Sequence, residues 1–422
     1  MNRFLIFLLI ILPFQLLLSQ VFEEKPPEMA GFIPERLDRI DRTIDQSIEK
    51  GEIPGAVALI ARNGTIAYHK SFGKADIESD RDMKKDDIFR IASMTKAVTT
   101  VGVMLLYEQG HFELGDRLSK FIPEFKSPAV YAGYDSVNNV VKTEPAGSEI
   151  RIIDLLTHTA GIGYPFIKND LSDSYETAGI IDGLTAGDKN LKSQMMRLAE
   201  QPLLFEPGER FEYGLNTDLL GYFCEVISGK PLDRFFAEDI FTPLKMNDTY
   251  FYLPEDKQGR LVTLYAWLED KGLVVSDGTE SSIKLDNPDY PVAGAKSYFS
   301  GGAGLSSTAY DYARFIQMLL NTGELEGARI LSRKSVELLE QPIVDTDDDG
   351  KPEIGLGFFV INDLGQYGEL GSKGAYSWGG AFYTSYWIDP SENLIGVFMS
   401  QVRPARTDIS NRFRILVYQA LQ

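Results

Sequence analysis

Ser93-Met94-Thr95-Lys96 carries the most pointed chemistry in this 422-residue chain. Three residues apart on a helix, a hydroxyl and an amine share one face, so the Lys96 amine reaches the Ser93 hydroxyl and can take its proton. A serine so deprotonated attacks a carbonyl and carries the acyl group as an ester. If Ser93 opens the helix, the unpaired first-turn N–H groups and the helix dipole favour the developing negative charge. The four-residue pattern is cheap by itself, because Ser47, Ser71 and Ser281 also stand three residues before a lysine. Context separates them. Ser47 sits mid-helix in a charged amphipathic segment, Ser71 precedes Phe72-Gly73 in what reads as a turn, and Ser281 lies in a polar loop. Only Ser93 follows a strand-like run, Ile88 to Ala92, and opens an uncharged helical run, Ala97 to Tyr107, stopped by Gly110.

Other chemistries find less support. A Ser-His-Asp hydrolase needs a placed histidine and often Gly-x-Ser-x-Gly, which is absent. His158, in Leu155-Leu156-Thr157-His158-Thr159, reads as a structural histidine. His69 and His111 are scattered and no zinc-ligand spacing occurs, so neither metal nor cofactor is expected. Asp345-Thr346-Asp347-Asp348-Asp349-Gly350 copies the start of a calcium loop, but Leu356 stands at the twelfth position where a glutamate is required. It reads as an acidic turn.

The elements that must hold Ser93 can be followed along the chain. Residues 1–20 have Arg3 as their only charge, an apolar run from Phe4 to Leu12, and small Ser19 near the end. They resemble a secretory signal peptide, too short and too broken by Pro13 and Gln15 to span a membrane comfortably. Export to the periplasm or medium is the expectation. Cys224 is the single cysteine, so no intramolecular disulfide forms, and its apolar setting makes it a core residue. Leu37, Ile40, Ile44 and Ile48 recur at helical spacing. Asn63-Gly64 joins two strand-like runs as a hairpin turn. From about 110 to 295 the pattern changes to helices and long polar loops, and strand patterns return at 357–361, 376–378, 384–388 and 394–399 before a last helix at about 408–421. The expected architecture is α+β: an antiparallel sheet built from both ends of the chain, flanked by helices, with an all-helical lobe between. Residues 21–422 form one catalytic domain in this reading, with a sheet lobe at about 30–110 and 296–422 and a helical lobe at about 111–295. A formal charge of −19 and a pI near 4.7 argue against nucleic acid or an anionic membrane as partner.

Ser93-x-x-Lys96, Leu155-Leu-Thr-His-Thr-Ala-Gly161, Tyr213 within Phe211-Glu-Tyr-Gly-Leu-Asn-Thr-Asp-Leu-Leu-Gly221, Gly301-Gly-Ala-Gly-Leu-Ser-Ser-Thr308 and Trp378-Gly379-Gly380 follow one another in this order. Together they resemble the serine β-lactamase and penicillin-binding-protein superfamily, and within it the class C-like carboxylesterases of family VIII, over about residues 30–420. The resemblance implies Ser93 as the acylated nucleophile, Lys96 as its activator and Tyr213 as the second proton-transfer group. It implies an oxyanion hole of the Ser93 and Ala381 backbone N–H groups, with Trp378, Gly379 and Gly380 against the substrate. Two departures bear on the substrate. Tyr213-Gly214-Leu215 has leucine where penicillin-recognising members have asparagine, which puts Asn216 one place late. Trp378-Gly379-Gly380 replaces Lys-Thr-Gly, removing the cation and hydroxyl that would bind a β-lactam carboxylate.

The function expected is therefore an exported serine hydrolase of small carboxylic esters. A D-amino-acid-specific peptidase or weak β-lactamase is the second reading, and a non-catalytic binding protein on the same fold the third. Small-molecule ester or peptide is the partner expected, with no membrane after leader cleavage; oligomeric state stays open. Tyr164, Phe166, Phe382 and Tyr383 are the aromatics expected to line an apolar acyl pocket.

Overall fold

The computed structural model describes residues 22–422 except 139, 182, 185–186, 281–288 and 348. The leader at 1–20 and Ser281 lie outside the described residues. After helix α1 (Pro34–Glu49), strands β1 (Gly55–Arg62), β2 (Thr65–Asp76) and β3 (Arg81–Asp82) form one side of a sheet. Late in the chain, β4 (Phe359–Val360), β5 (Tyr376–Gly380), β6 (Thr384–Asp389) and β7 (Leu394–Met399) complete it. The seven strands run in the order β4-β5-β6-β7-β1-β2-β3, every neighbour antiparallel. The two ends of the chain meet at β1 and β7, where Val57 faces Met399 and Leu59 faces Val397.

Period two along β1 explains why the sheet is covered on both faces. Val57, Leu59 and Ala61 enter the main core, whereas Ala56, Ala58 and Ile60 join a second cluster with Leu37, Ile40 and Ile44 of α1 and Phe413 and Val417 of α5 (Ile409–Tyr418). Removing such side chains from water is worth about 25 cal/mol per Å² of apolar surface, so a doubly buried strand is a strong constraint on register. On the main-core face lie α2 (Thr95–Glu108), which packs on α3 (Asn216–Ser228), and α4 (Ala309–Leu320), which packs on β7. α2 carries no charge from Ala97 to Tyr107 because that length is almost wholly enclosed.

Two local readings change. Ser71 does not lie in a turn: β2 runs on through it, with Ser71 opposite Val57, and Gly73 takes φ +66° within the ladder opposite Gly55. The intervening lobe has its helices at Ile152–Leu156, Ser172–Thr177, Leu191–Ala199 and Leu232–Phe236 besides α3. It also has two hairpins that the sequence reading did not place, Ala129–Asp135 with Val140–Pro145 and Tyr265–Leu268 with Gly272–Val275. In the first, the Asp135 carboxylate accepts the Val137 and Asn138 amides, a side-chain turn that joins two runs of mixed polarity.

Candidate active site

Ser93 stands where a strand is forced to become a helix. Phe89–Arg90 pairs with Ser306–Ser307, and the Ile91 amide donates to the Leu305 carbonyl at 3.0 Å. Ala92 then takes φ +41°, a left-handed conformation that a residue with a Cβ rarely adopts. The turn places Ser93 in the 3-10 segment Ala92–Met94 that runs straight into α2. Two further bonds lock it: Tyr312 of α4 donates to the Met94 carbonyl at 2.9 Å, and the Leu305 amide donates to Thr95 Oγ1 at 3.1 Å. Ser93 is left half-buried at the surface of this packed turn.

Lys96 is 1% exposed. Its Nζ lies 3.2 Å from Ser93 Oγ, 3.1 Å from the Tyr164 hydroxyl and 2.8 Å from the Gly302 carbonyl oxygen. An unpaired ammonium in such a place would cost several kcal/mol. Three acceptors match its three protons. They also suit the neutral amine, which gives two N–H groups to Gly302 and Tyr164 and turns its lone pair to Ser93. The same cage therefore holds both protonation states that proton transfer requires.

Tyr213 closes the group: its hydroxyl donates to Ser93 Oγ at 2.7 Å, and Lys96 Nζ lies 4.7 Å from its ring centroid. His158 holds the turn that carries Tyr213. Its Nδ1 accepts from Asn216 Nδ2 at 3.0 Å and from the Gly214 amide at 3.5 Å. Both partners are donors, so the ring proton resides on Nε2. Burial, with the Lys96 charge behind it, pushes the His158 pKa down to about 3. A base whose lone pair is taken and whose proton affinity is so low does not deprotonate Ser93. Asn216 is fully buried and its amide also reaches the Ile162 carbonyl at 3.2 Å, so it ties the Tyr213 turn to the Ile162 segment.

β5 supplies the opposite wall. The Trp378 ring lies 5.9 Å from that of Tyr213. Gly380, on the same face of β5, comes so close to the Ser93 turn that a Cβ there would stand 2.3 Å from the Ile91 carbonyl oxygen. That glycine is needed for strand-to-turn approach. Gly379 is exposed on the other face, and Ala381 follows the strand and packs near Ala92. The structure thus brings Ser93, Lys96, Tyr213, Trp378, Gly380 and Ala381 into one region.

The expected aromatic pocket is only partly there. Tyr164 is polar in effect, with its hydroxyl on Lys96 and its ring stacked 4.7 Å from Phe166. Phe382 is buried in a small cluster with Leu184, Leu264 and Tyr290. Tyr383 turns to the far side of the sheet, donating to the Thr407 carbonyl at 2.8 Å. Alternation along an irregular turn, Tyr383 having φ +70°, decides this and is not readable from composition. Tyr164 and Gly302 are the contacts that sequence reasoning missed. A buried tyrosine must satisfy its hydroxyl, but nothing in the sequence says with which partner. Around Asp345, the carboxylate accepts the backbone amides of Asp347, Asp349 and Gly350, so the acidic stretch closes on itself as a turn.

The Ser93 turn, the enclosed Lys96 and the Tyr213 phenol lie together between a sheet and a mainly helical lobe, an arrangement suited to acyl transfer by a serine of a Ser-x-x-Lys pair. Residues 40–420 match the Beta-lactamase family model, and the chain belongs to that family. It is 31% identical to Esterase EstB of Burkholderia gladioli over 84% of this chain and 88% of the relative. It is 29% identical to Lovastatin esterase of Penicillium rubens over 90% and 98%. Among solved structures, EstCE1, a hydrolase with promiscuous acyltransferase activity, superposes with a TM-score of 0.78 at 28% identity, covering 92% of this chain and 98% of its own. These likenesses place the chain among serine hydrolases with esterase members.

Proposed function

We propose that the chain is an exported hydrolase of small carboxylic esters that works through an acyl-enzyme on Ser93. The observation that carries the proposal is the placement of Ser93 Oγ between Lys96 Nζ at 3.2 Å and the Tyr213 hydroxyl at 2.7 Å. Neutral Lys96 takes the Ser93 proton as Oγ attacks the ester carbonyl, and the Ser93 and Ala381 N–H groups hold the oxyanion. As the carbon–oxygen bond breaks, Tyr213 passes its proton to the leaving alkoxide and regains one from the Lys96 ammonium. Water then attacks the acyl-enzyme with the same groups in reverse: its proton goes through Tyr213 to Lys96, Ser93 recovers a proton, and the acid leaves. Trp378 takes the lysine position of a Lys-Thr-Gly strand and offers no cation, which supports a substrate without a carboxylate at that end. The esterase relatives support the same class. Export rests on the leader-like residues 1–20.

Purified protein is to be assayed side by side on 4-nitrophenyl butyrate, nitrocefin and a D-Ala-D-Ala peptide. The ester is expected to be turned over at least 100-fold faster than the other two, in kcat/KM. A clear preference for the peptide or the lactam would replace this reading with the peptidase one, and inertness toward all three, without covalent labelling, with the binding-protein one.

A further inference from the structure

Asp218 of α3 is a fully buried carboxylate with no part in the chemistry above. Its Oδ1 accepts from Ser300 Oγ at 2.6 Å and from the Tyr298 hydroxyl at 3.3 Å. Its Oδ2 lies against the Gly302 backbone without a well-formed hydrogen bond among the described residues. The approach is close enough that a Cβ on Gly302 would fall 2.3 Å from Oδ2 and 3.1 Å from the Tyr164 hydroxyl. Gly302 is therefore held between Asp218 and the Lys96 cage, and its carbonyl is the nearest of the three acceptors around Nζ. On the preceding residue, the Gly301 carbonyl accepts from Thr99 Oγ1 of α2 at 2.7 Å, so the segment is tied to the helix that carries Lys96.

We infer that Asp218 is a positioning residue for Lys96, fixing the Gly302 carbonyl from behind and supplying the buried negative charge that balances the ammonium. The inference rests on the hydrolase reading. A lone carboxylate so enclosed would be strongly disfavoured unless a cation balanced it. Burial raises its pKa, and the Ser300 hydroxyl, the Lys96 charge, the Tyr298 hydroxyl and the Gly302 amide pull it back toward ionisation. Among the described residues, the other titratable groups facing this centre are phenols and an imidazole: His158 from the segment after the helix Ile152–Leu156, Tyr164 from the loop after Gly161, Tyr213 from the turn before α3, and Tyr290, whose phenol the Asp218 charge helps to raise.

Two conservative variants act in the same direction. Asp218→Asn removes the negative charge behind the Lys96 cage. Ser300→Ala removes the hydroxyl that donates to Asp218 Oδ1 at 2.6 Å and so weakens the ionised carboxylate without deleting it. The measurement is the second-order rate of Ser93 labelling by a fluorophosphonate between pH 5 and 10, with a melting curve for each protein. The labelling midpoint is expected to move down by about half a unit or more in Asp218→Asn and down by a smaller amount in Ser300→Ala. The plateau rate of Asp218→Asn should fall at least fivefold as the Gly302 carbonyl loses its backing. If Asp218→Asn does not fold, the smaller downward shift in Ser300→Ala decides alone. Coincident midpoints, with or without lowered melting temperatures, would reduce Asp218 to a structural residue. A wild-type protein that labels at no pH would instead overturn the hydrolase reading itself.

Discussion

A buried ammonium has to place every one of its protons, and Lys96 does so on Ser93, Tyr164 and Gly302. A hydrogen bond to a charged group is worth about 1.5–3 kcal/mol, so Tyr164→Phe should lower kcat on an ester about tenfold or more while KM changes little. An unchanged kcat would mean that the phenol only fills space. The Tyr213 hydroxyl reaches Ser93 Oγ itself. Proton transfer by a placed group contributes about 10²–10⁴-fold, and Tyr213→Phe is expected to lose at least 100-fold in kcat. Steady-state kinetics on 4-nitrophenyl butyrate checks both, and near-full activity in Tyr213→Phe would remove the relay from the mechanism. Trp378 shows the same logic in reverse: an indole against the Tyr213 ring offers contact area but no charge to a substrate.

Elements bring these residues together by close approach. β5 touches the Ser93 turn because position 380 has no side chain. Gly380→Ala would push a methyl to 2.3 Å from the Ile91 carbonyl and 2.2 Å from Thr384 Oγ1. Overpacking of this kind typically costs about 1–3 kcal/mol, and moving β5 also moves Ala381, so activity should fall at least tenfold beyond what the lower melting temperature explains. Activity that tracks stability alone would place the strand outside the site. Much of this was legible in the sequence. Ser93-x-x-Lys96 before an uncharged helix, the Asn63-Gly64 hairpin and the period-two strands near both ends all act over a few residues, where pattern and conformation are tightly coupled. Tyr164, Gly302 and the far-side course of Tyr383 were not legible, since each depends on what another part of the chain presents. Ser71 misled because a positive-φ glycine serves a bulging strand as readily as a turn.

Across the whole molecule, acid should act on stability through a small set of groups. His158 has a pKa of about 3 in the fold against an ordinary 6.5, so the unfolded chain binds a proton that the fold refuses. Its contribution is intact above pH 6.5 and is lost progressively as pH falls toward 3. Glu326 is held at about 2 against an ordinary 4.5, chiefly by Arg314, and its contribution is lost as pH falls from 4.5 toward 2. Asp311, pushed up to about 6 by burial, works in the other direction between 3.8 and 6. Comparing His158→Gln with wild type isolates the imidazole: the variant should melt lower at pH 7 but lose less on going to pH 4. Parallel melting-temperature curves would show that His158 is not buried neutral. The most direct test of Ser93 as the acylated residue is chemical. The protein is treated with a fluorophosphonate, the adduct located by peptide mass mapping, and Ser93→Ala run beside it. One adduct on the peptide bearing Ser93, absent in Ser93→Ala together with ester turnover, is the result expected; an adduct elsewhere, or labelling that persists in Ser93→Ala, would contradict the account.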